Sequence, residues 1–443
     1  MALLEVLLLH AAQFVLVLLV LSFARPDSSI RPALIPVLVL LTLYILPKTL
    51  DAVSSKVQAS FIATNVIGVF LQYLDFGLIS KWSFMSYDLP PADENPTQTQ
   101  LNPAVWSTKL QSYHRGAWRR LQWGLFATTA WRAPATAWEV KGTPRFDPVH
   151  PTFIPSRPRF LLDTFKTLVS CWAILDLMSL IPPQSAETRV ETFAWNRVPL
   201  FSRWTEVSAE EVTSRLLSTF LFWLATYCIL QVFYCSVAII GVATRLTRVE
   251  AWPPLFGPVT ECYSVRRFWG VFWHQALRRK VGRPAFYMTY SWLGCRRGSL
   301  AGRYICVLLT FAVSGLFHLA EEYTAGVPLH RSGAMRFYCT QTLGLLLEDA
   351  TQAVLPYLVV GSDSKSRTRQ AKVLGYLWIA LWMTWTSPAW IYPKQLCNRG
   401  TSKDQVLPFS LTQRLVSIGW ESMAWDTLKA LPAQHPSPAV LST

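Results

Sequence analysis

Eight predominantly apolar runs dominate this chain, and each approaches the length of about 20 residues that crosses a bilayer as a helix. The runs cover residues 2–23, 33–50, 57–80, 160–182, 216–243, 302–323, 337–360 and 372–392. The sequence is 51% hydrophobic, which is too apolar for an ordinary soluble protein of 443 residues. The pattern predicts an all-α polytopic membrane protein with about eight transmembrane helices and with interfacial helices in its long loops.

Three of the runs allow finer predictions. The first has no basic residue in its opening segment "MALLE", so we expect a retained span and not a cleaved signal peptide. The second is short and interrupted by Pro36 and Pro47. The fifth is long enough to be one strongly tilted helix or two shorter pieces.

The formal net charge of +15 resides mostly in loops between the runs. Lysine and arginine are concentrated in residues 81–159, 244–301 and 361–372, and they are sparse in residues 183–215 and 319–335. Cytoplasmic loops carry the excess of these residues, so the basic loops are predicted to be cytoplasmic and both termini to lie on the far side. Such loops explain the charge without a nucleic-acid partner. The eight cysteines include no CxxC pair and indicate neither disulfides nor a zinc site.

We interpret residues 1–443 as one multi-span membrane domain. Residues 81–159 form a long loop rich in Trp, Pro and Arg, with tryptophans expected at headgroup depth. Residues 244–392 contain the segments with candidate chemistry. The tail, residues 393–443, is predicted to be mostly loop, with one surface helix in "FSLTQRLVSIGWESMAW".

The segment "VRRFWGVFWHQALRRK", residues 265–280, has apolar residues at helical spacings of three and four. On a helix, Arg267, His274 and Arg278 would line the opposite side. The pattern predicts an interfacial helix whose aromatic face turns toward lipid or toward the bundle, and a plain membrane-surface helix would look the same. As a ligand site, its cations suit phosphates: Arg266, Arg267, Arg278, Arg279 and Lys280.

The segment "SGLFHLAEEY", residues 314–323, ends an apolar run with one histidine and two glutamates. On a helix, these polar side chains share one face: Ser314, His318, Glu321 and Glu322. A buried histidine oriented by a carboxylate is suited to take a proton from a hydroxyl. The alternative is that the helix only reaches headgroups and water at this point.

Two further acidic residues, Glu348 and Asp349, fall in the middle of the seventh run. Charges at that depth are expensive, so they should face the bundle interior and pair with other groups. Gln341 lies seven residues earlier on the same helical side as Glu348. Together with Ser314, these residues are predicted to line a polar substrate cavity. The alternative is that they are only polar contacts between helices.

In three stretches the sequence resembles the wax-synthase-like branch of the membrane-bound O-acyltransferases, and most of all its fungal members that acetylate terpenoids and meroterpenoids. The stretches are "RRFWGVFWHQALR" (266–278), "FAVSGLFHLAEEY" (311–323) and "QTLGLLLEDATQ" (341–352). Residues 1–250 match in hydropathy alone. The resemblance implies a bundle typical of that family, with residues 244–392 as the wax-synthase-like catalytic core, in the endoplasmic reticulum membrane.

The resemblance also implies transfer of an acyl group from acyl-CoA, here acetyl-CoA, to a hydroxyl of a lipophilic acceptor such as a terpenoid, without a metal. The embedded histidine of the family corresponds to His318 as general base, with Glu321 beside it. His274 stands where many sterol and diacylglycerol acyltransferases have asparagine, so it either hydrogen-bonds the thioester carbonyl or only shapes the channel. Direct transfer is expected, and the alternative is Ser314 as an acylated nucleophile activated by His318.

One difficulty follows from the predicted orientation. His318 lies about 24 Å from the cytoplasmic start of its helix, at 1.5 Å per residue. A short acetyl-pantetheine arm then needs a deep cytosolic cavity to reach it, or the orientation is inverted.

Other functions explain less of the sequence. A membrane diiron desaturase needs several HxxHH-type boxes and a zinc protease needs HExxH, and the sequence contains neither. An intramembrane terpene cyclase would use Glu348 and Asp349 as acids, but it leaves His318 and the basic aromatic segment unexplained. A transporter would be expected to show a repeat that relates its two halves.

Overall fold

The computed structural model describes residues 2–53, 55–84, 116–136, 138–181, 184–358, 364–397, 407 and 410–417, and the side chains of 355–369 fall outside this description. Within these ranges every regular element is a helix. Five are long and apolar enough to cross a membrane: Ala2–Phe23, Ile30–Ala52, Lys56–Ile79, Ala209–Ala243 and Leu300–Thr324. The predicted all-α membrane fold is confirmed, and the count of eight spanning helices stays a prediction.

The first three helices pack side by side. They are α1 (Ala2–Phe23), α2 (Ile30–Ala52) and α3 (Lys56–Tyr73, continued by a π-helix at Leu74–Ile79). α2 runs unbroken through Pro36 and Pro47, so the predicted interruption is wrong. Membrane helices tolerate internal proline because neighbouring groups and local adjustments satisfy the freed carbonyls.

The described part of the 81–159 loop contains α4 (Ala117–Thr129), which packs against α1. Its tryptophans differ in burial, and their depth in the membrane stays a prediction. Trp118 is exposed, whereas Trp123 and the later Trp138 are buried in a cluster with residues of α1, α2 and α3. The loop therefore contributes to the core of the bundle as well as to its surface.

The next helices are α5 (Arg157–Met178), the short α6 (Ala186–Thr192) and α7 (Ala209–Ala243). α7 is one continuous helix of 35 residues, which decides between the two alternatives for the fifth run. α5 packs along α7, and Cys171 and Cys228 are buried between them as free thiols.

Residues 265–280 do not form one helix, so that prediction is wrong. The chain makes a helical turn at Val265–Arg267 and a π-helix at Phe268–Phe272, and it resumes as α8 (Arg278–Tyr287) with a second π-helix at Met288–Trp292. The Gln275 side chain donates to the carbonyls of Trp269 and Trp273, where a continued helix would place its own hydrogen bonds. The aromatic stripe faces the bundle, with Phe268 and Trp273 buried in its largest core cluster.

The first arm of this segment begins near the start of α9 (Leu300–Thr324), because Arg266 and Arg303 both pair with Asp349, and the second arm ends there. The outgoing arm lies against α9, where Thr289 hydrogen-bonds Cys306. At its other end, Leu277 packs in the same cluster as Phe317 of α9, about 16 Å further along that helix. Residues 265–292 therefore enter the bundle and return, and we call them the re-entrant hairpin.

Among the described residues, four α-helices follow α9: α10 (Ala334–Leu358), α11 (Ser364–Thr386), α12 (Pro388–Cys397) and α13 (Leu411–Ser417). α9 and α10 approach closely at Gly315, where a Cβ atom would lie 2.8 Å from the sulfur of Met335. α13 falls within the surface helix predicted for the tail, and Asp176 of α5 caps its first turn. The rest of that predicted helix lies outside the described residues.

Candidate active site

His318 and Glu321 form a hydrogen-bonded pair on α9. Nδ1 of His318 lies 2.8 Å from a carboxylate oxygen of Glu321, and each side chain is 17% exposed. Ser60 of α3 also hydrogen-bonds Glu321. A carboxylate at Nδ1 holds the ring proton on that side, so Nε2 is left as a hydrogen-bond acceptor. Nε2 is therefore the atom that can take a proton.

Glu322, the adjacent glutamate, has different partners. It is fully buried, accepts a hydrogen bond from the Ser332 hydroxyl and lies 3.6 Å from Nζ of Lys394 on α12. This contact ties α9 to the loop before α10 and to α12. Glu322 is buried and both glutamates have partners within the bundle, which favours a built polar site over a helix end that merely reaches water.

Two aromatic rings fix the plane of the His318 imidazole. Tyr338 of α10 stacks parallel to it, with ring centroids 4.7 Å apart and an interplanar angle of 2°. Trp390 of α12 meets it edge-on at 5.1 Å. With Nδ1 bonded to Glu321, the ring is held in position and orientation by three helices.

The re-entrant hairpin brings its aromatic residues to this place. Trp269 lies 5.8 Å from Tyr338, and Trp273 lies 4.8 Å from Trp223 of α7, measured between ring centroids. Trp223 in turn lies 6.0 Å from Trp390. One continuous set of aromatic contacts therefore joins the tip of the hairpin to the surroundings of His318.

Gln341 anchors this arrangement. It is fully buried, and its Oε1 accepts hydrogen bonds from the indoles of Trp269 and Trp382 at 3.2 and 3.0 Å. Its amide donates to the carbonyl of Phe337 and to the Thr386 hydroxyl. All of its hydrogen-bonding capacity is used within the protein, which favours a structural role over contact with a substrate.

His274 lies at the tip of the hairpin, outside the spanning helices. Its Nδ1 is buried without a hydrogen-bond partner among the described residues. Burial, together with the nearby charges of His318 and Arg132, lowers the pKa of His274 to about 3. The His274 ring is therefore neutral near pH 7 and suited to hydrogen bonding.

Glu348 caps the entry of the hairpin. Its carboxylate accepts hydrogen bonds from the backbone N–H groups of Val265 and Arg266 and from the indole of Trp378 at 2.9 Å. Carboxylates are favoured at helix N-termini because the first N–H groups have no partner within the helix. The expectation that Glu348 pairs inside the bundle is confirmed, and a carboxylate engaged in this way is poorly placed to act as the acid of a cyclase.

Asp349, the next residue, collects two arginines and a tyrosine. It lies 2.7 Å from Arg266 and 3.0 Å from Arg303, and the Tyr304 hydroxyl donates to it at 2.6 Å. Arg303 is half exposed and Arg266 is 40% exposed. Asp349 therefore gathers accessible cations at the end of the bundle where the hairpin enters.

A second pair of cations lies on Tyr263 beside the same entrance. Arg267 pairs with Glu261, and its guanidinium lies 4.7 Å from the centre of the Tyr263 ring. Nζ of Lys372 on α11 lies 5.2 Å from the same ring. We call four cations the basic entrance: Arg266 and Arg303 at Asp349, Arg267 at Glu261, and Lys372 over the Tyr263 ring.

The other three predicted phosphate ligands lie elsewhere. Arg278 is bonded to the carbonyl of Gly270 and to Gln275. Arg279 pairs with Asp75 at 2.6 Å inside a set of aromatic rings, and the fully buried Lys280 donates to the carbonyl of Gly68. These contacts favour structural roles for Arg279 and Lys280.

Several residues of the site were missed in the sequence: Arg303, Tyr338, Lys372, Trp390 and Lys394. Lys394 follows the last apolar run, where a lysine looks like an ordinary flanking charge. Tyr338 and Trp390 look like interfacial aromatics at the ends of spans. The sequence contained one signal for Lys394. The segment "AEEY" has two glutamates, His318 can pair with only one of them, and the other requires a cation from another helix.

A sequence profile of the membrane-bound O-acyl transferase family matches residues 252–340, which contain the hairpin, His318 and Tyr338. Acetyltransferase aurG of Calcarisporium arbuscula is 41% identical over 85% of this chain and 89% of its own length. Acetyltransferase fsoF of Humicola fuscoatra is 33% identical over 81% and 87%. O-Mevalon transferase yanI of Aspergillus niger is 29% identical over 61% of each chain. No solved structure matches the chain.

The helical membrane bundle and these relatives define the protein as an integral membrane acyltransferase. The chain belongs to the membrane-bound O-acyltransferase family, in the branch of the fungal acetyltransferases.

Proposed function

We propose that the protein transfers the acetyl group of acetyl-CoA to a hydroxyl of a lipophilic alcohol, with His318 as general base. The observation that carries this proposal is the partly buried pair in which Glu321 holds Nδ1 of His318 and leaves Nε2 free to accept a proton. Acetyl as the acyl group is supported by the names of the relatives, of which aurG and fsoF are acetyltransferases.

In the proposed reaction, Nε2 of His318 removes the hydroxyl proton as the alcohol oxygen attacks the thioester carbon. The carbon–oxygen bond forms, the carbon–sulfur bond breaks, and the coenzyme A thiolate takes the proton from His318. Glu321 stabilises the imidazolium between these two proton transfers. Ser314 has no hydrogen bond to His318 in the described part of the chain, which supports direct transfer over an acyl-serine route.

The donor is proposed to enter by way of the re-entrant hairpin. The basic entrance offers Arg266, Arg267, Arg303 and Lys372 for the coenzyme phosphates. From there the hairpin leads inward to His274 and to the aromatic surroundings of His318. A pantetheine arm lying along it would cross the depth that separates His318 from the start of α9.

The acceptor is proposed to be a terpenoid-like alcohol that arrives from the bilayer, in the endoplasmic reticulum membrane. The aromatic walls formed by Trp223, Trp390 and Tyr338 suit a bulky apolar molecule better than a polar one.

The test uses microsomes that contain the full chain, labelled acetyl-CoA and a panel of lipophilic alcohols. We expect label in the ester product with the wild type, and a loss of at least about 10²-fold with His318→Ala, because a positioned general base contributes roughly 10²–10⁴-fold. His330→Ala, on the exposed turn before α10, is the matched control and should keep full activity. Transfer by His318→Ala at the wild-type rate, at equal protein level, would falsify the proposal.

A further inference from the structure

The aromatic ring that stacks on His318 belongs to a tyrosine, Tyr338, and so carries a hydroxyl group beside the proposed base. Tyr338 is 3% exposed, and no described residue accepts or donates a hydrogen bond at its hydroxyl. The hydroxyl oxygen is not among the fully buried atoms without a partner, so part of its surface is open to a partner that the described residues do not supply. The ring itself lies on the imidazole of His318, with centroids 4.7 Å apart.

The position of Tyr338 is fixed from several sides. Phe337 and Trp390 contact its ring, with centroids 5.1 and 5.3 Å away, and Trp269 of the re-entrant hairpin lies at 5.8 Å. Trp269 is itself held by Gln341. A tyrosine clamped between the base and the hairpin therefore offers a preorganised donor where the acceptor and the thioester would meet.

We propose that the Tyr338 hydroxyl donates a hydrogen bond to the carbonyl oxygen of the bound thioester and stabilises the negative charge that develops there. This inference rests on the proposed acetyl transfer. As the alcohol oxygen bonds to the carbonyl carbon, its proton passes to His318 and the carbonyl electron pair moves onto oxygen. Collapse of this intermediate re-forms the carbonyl and expels the thiolate, and Tyr338 keeps its own proton throughout.

The carbonyl oxygen is the better partner for chemical reasons. A hydrogen bond donated to the attacking oxygen would withdraw electron density from it and slow the attack. A donor at the carbonyl oxygen becomes more favourable as charge builds up, so it lowers the barrier. The neutral His274 ring, with its unpartnered Nδ1, is the second candidate donor to the same oxygen, from the tip of the hairpin.

Tyr338→Phe tests the hydroxyl alone, because phenylalanine keeps the stacked ring. We expect kcat to fall about 10²-fold, the usual effect of removing one oxyanion donor, while KM for acetyl-CoA stays within about twofold. The control is Tyr392→Phe, a tyrosine of α12 that is equally buried but packs against Phe193. This control should keep the wild-type kcat.

A vibrational measurement separates this role from a structural one. The methyl ketone analogue of acetyl-CoA, in which CH₂ replaces sulfur, carries a carbonyl whose stretching frequency falls when a donor binds it. We expect the frequency on the wild type to be lower than in water, and Tyr338→Phe to lose part of that shift at equal occupancy. Tyr392→Phe should retain all of it.

The outcomes are distinguishable. If the wild type transfers acetyl and Tyr338→Phe matches it in kcat and in carbonyl frequency, the role of Tyr338 is refuted while the proposed function stands. If the wild type transfers no acetyl to any alcohol, the proposed function fails first. A Tyr338→Phe variant that loses thermal stability as well as kcat, with an unchanged carbonyl frequency, also overturns the role.

Discussion

Two neighbouring glutamates at the end of α9 have different partners, and we expect one to act in the reaction and the other to stabilise the fold. Glu321 bonds the base, whereas Glu322 bonds Ser332 and Lys394. Both are carboxylates in an apolar bundle, and they differ in their partners and in their exposed fraction, which is 17% for Glu321 and 0% for Glu322. The residues should therefore respond to the same substitution in different ways.

Glu321→Gln should lower kcat by about 10–100-fold at nearly normal stability. The amide can still accept the hydrogen bond from Nδ1, but it carries no charge to stabilise the imidazolium formed in the reaction. The measurement is kcat and KM in microsomes, together with the thermal unfolding of the detergent-purified protein.

Glu322→Gln is the matched comparison, and it should chiefly affect stability. Neutralising Glu322 removes the negative charge that lies 3.6 Å from Nζ of Lys394, which should cost about 1–3 kcal/mol in the free energy of unfolding. Activity per folded molecule should change little. The interpretation is wrong if Glu322→Gln loses turnover at unchanged stability or Glu321→Gln does the reverse.

Among the helices, the re-entrant hairpin is the element on which the site depends most. Its entry is held by Glu348, its middle by Gln341 and its tip by aromatic contacts with α7. These anchors come from distant parts of the chain. The hairpin should be the first part of the site to loosen when an anchor is removed.

Glu348→Ala should destabilise the protein by about 1–2 kcal/mol, the usual effect of losing a helix cap. It should also expose the hairpin to protease, because Val265 and Arg266 lose the acceptor for their N–H groups. Thermal unfolding and limited proteolysis in detergent give the measurement. Glu210→Ala, an exposed acid in the first turn of α7, is the control, and an equal loss there would contradict the cap.

The hairpin also marks the limit of what the sequence could predict. Apolar runs of sufficient length gave helices near the predicted positions, because hydropathy and length are local properties. The 265–280 segment satisfied the helical period and yet broke at Trp273. Its fold depends on the hydrogen bonds of the Gln275 side chain and on the carboxylate of Glu348, which lies 83 residues from Val265 in the sequence. The spacing of apolar residues gives no information on either contact.

The same reason explains what was found and missed at the site. His318 and Glu321 could be predicted because i, i+3 neighbours meet on any helix. Tyr338 and Lys394 could not, because their contacts with α9 depend on how α10 and α12 pack. The orientation of the chain in the membrane stays a prediction.

Across the bundle, charge is distributed so that accessible cations gather where the hairpin enters. Arg303 is the most exposed of the arginines at Asp349, and it was not among the predicted phosphate ligands. If the basic entrance holds the coenzyme, Arg303 should contribute to donor binding and not to the chemical step.

Arg303→Ala should therefore raise KM for acetyl-CoA by about 5–30-fold, the loss of one charge-assisted hydrogen bond, with kcat and the acceptor KM unchanged. The rise should shrink with a truncated donor that lacks the nucleotide phosphates. Arg331→Ala, an exposed arginine in the loop between α9 and α10, is the control. An unchanged KM for Arg303→Ala would show that Arg303 does not bind the coenzyme.

Gly315 has a consequence for the geometry of the reaction centre. The bare Cα at this position lets Met335 lie against α9, and Tyr338 follows Met335 by one turn on the same helix. A methyl group at Gly315 would push α10 away and would separate the phenol from the imidazole. The stacking of Tyr338 on His318 therefore depends on Gly315, whose side chain is a single hydrogen atom.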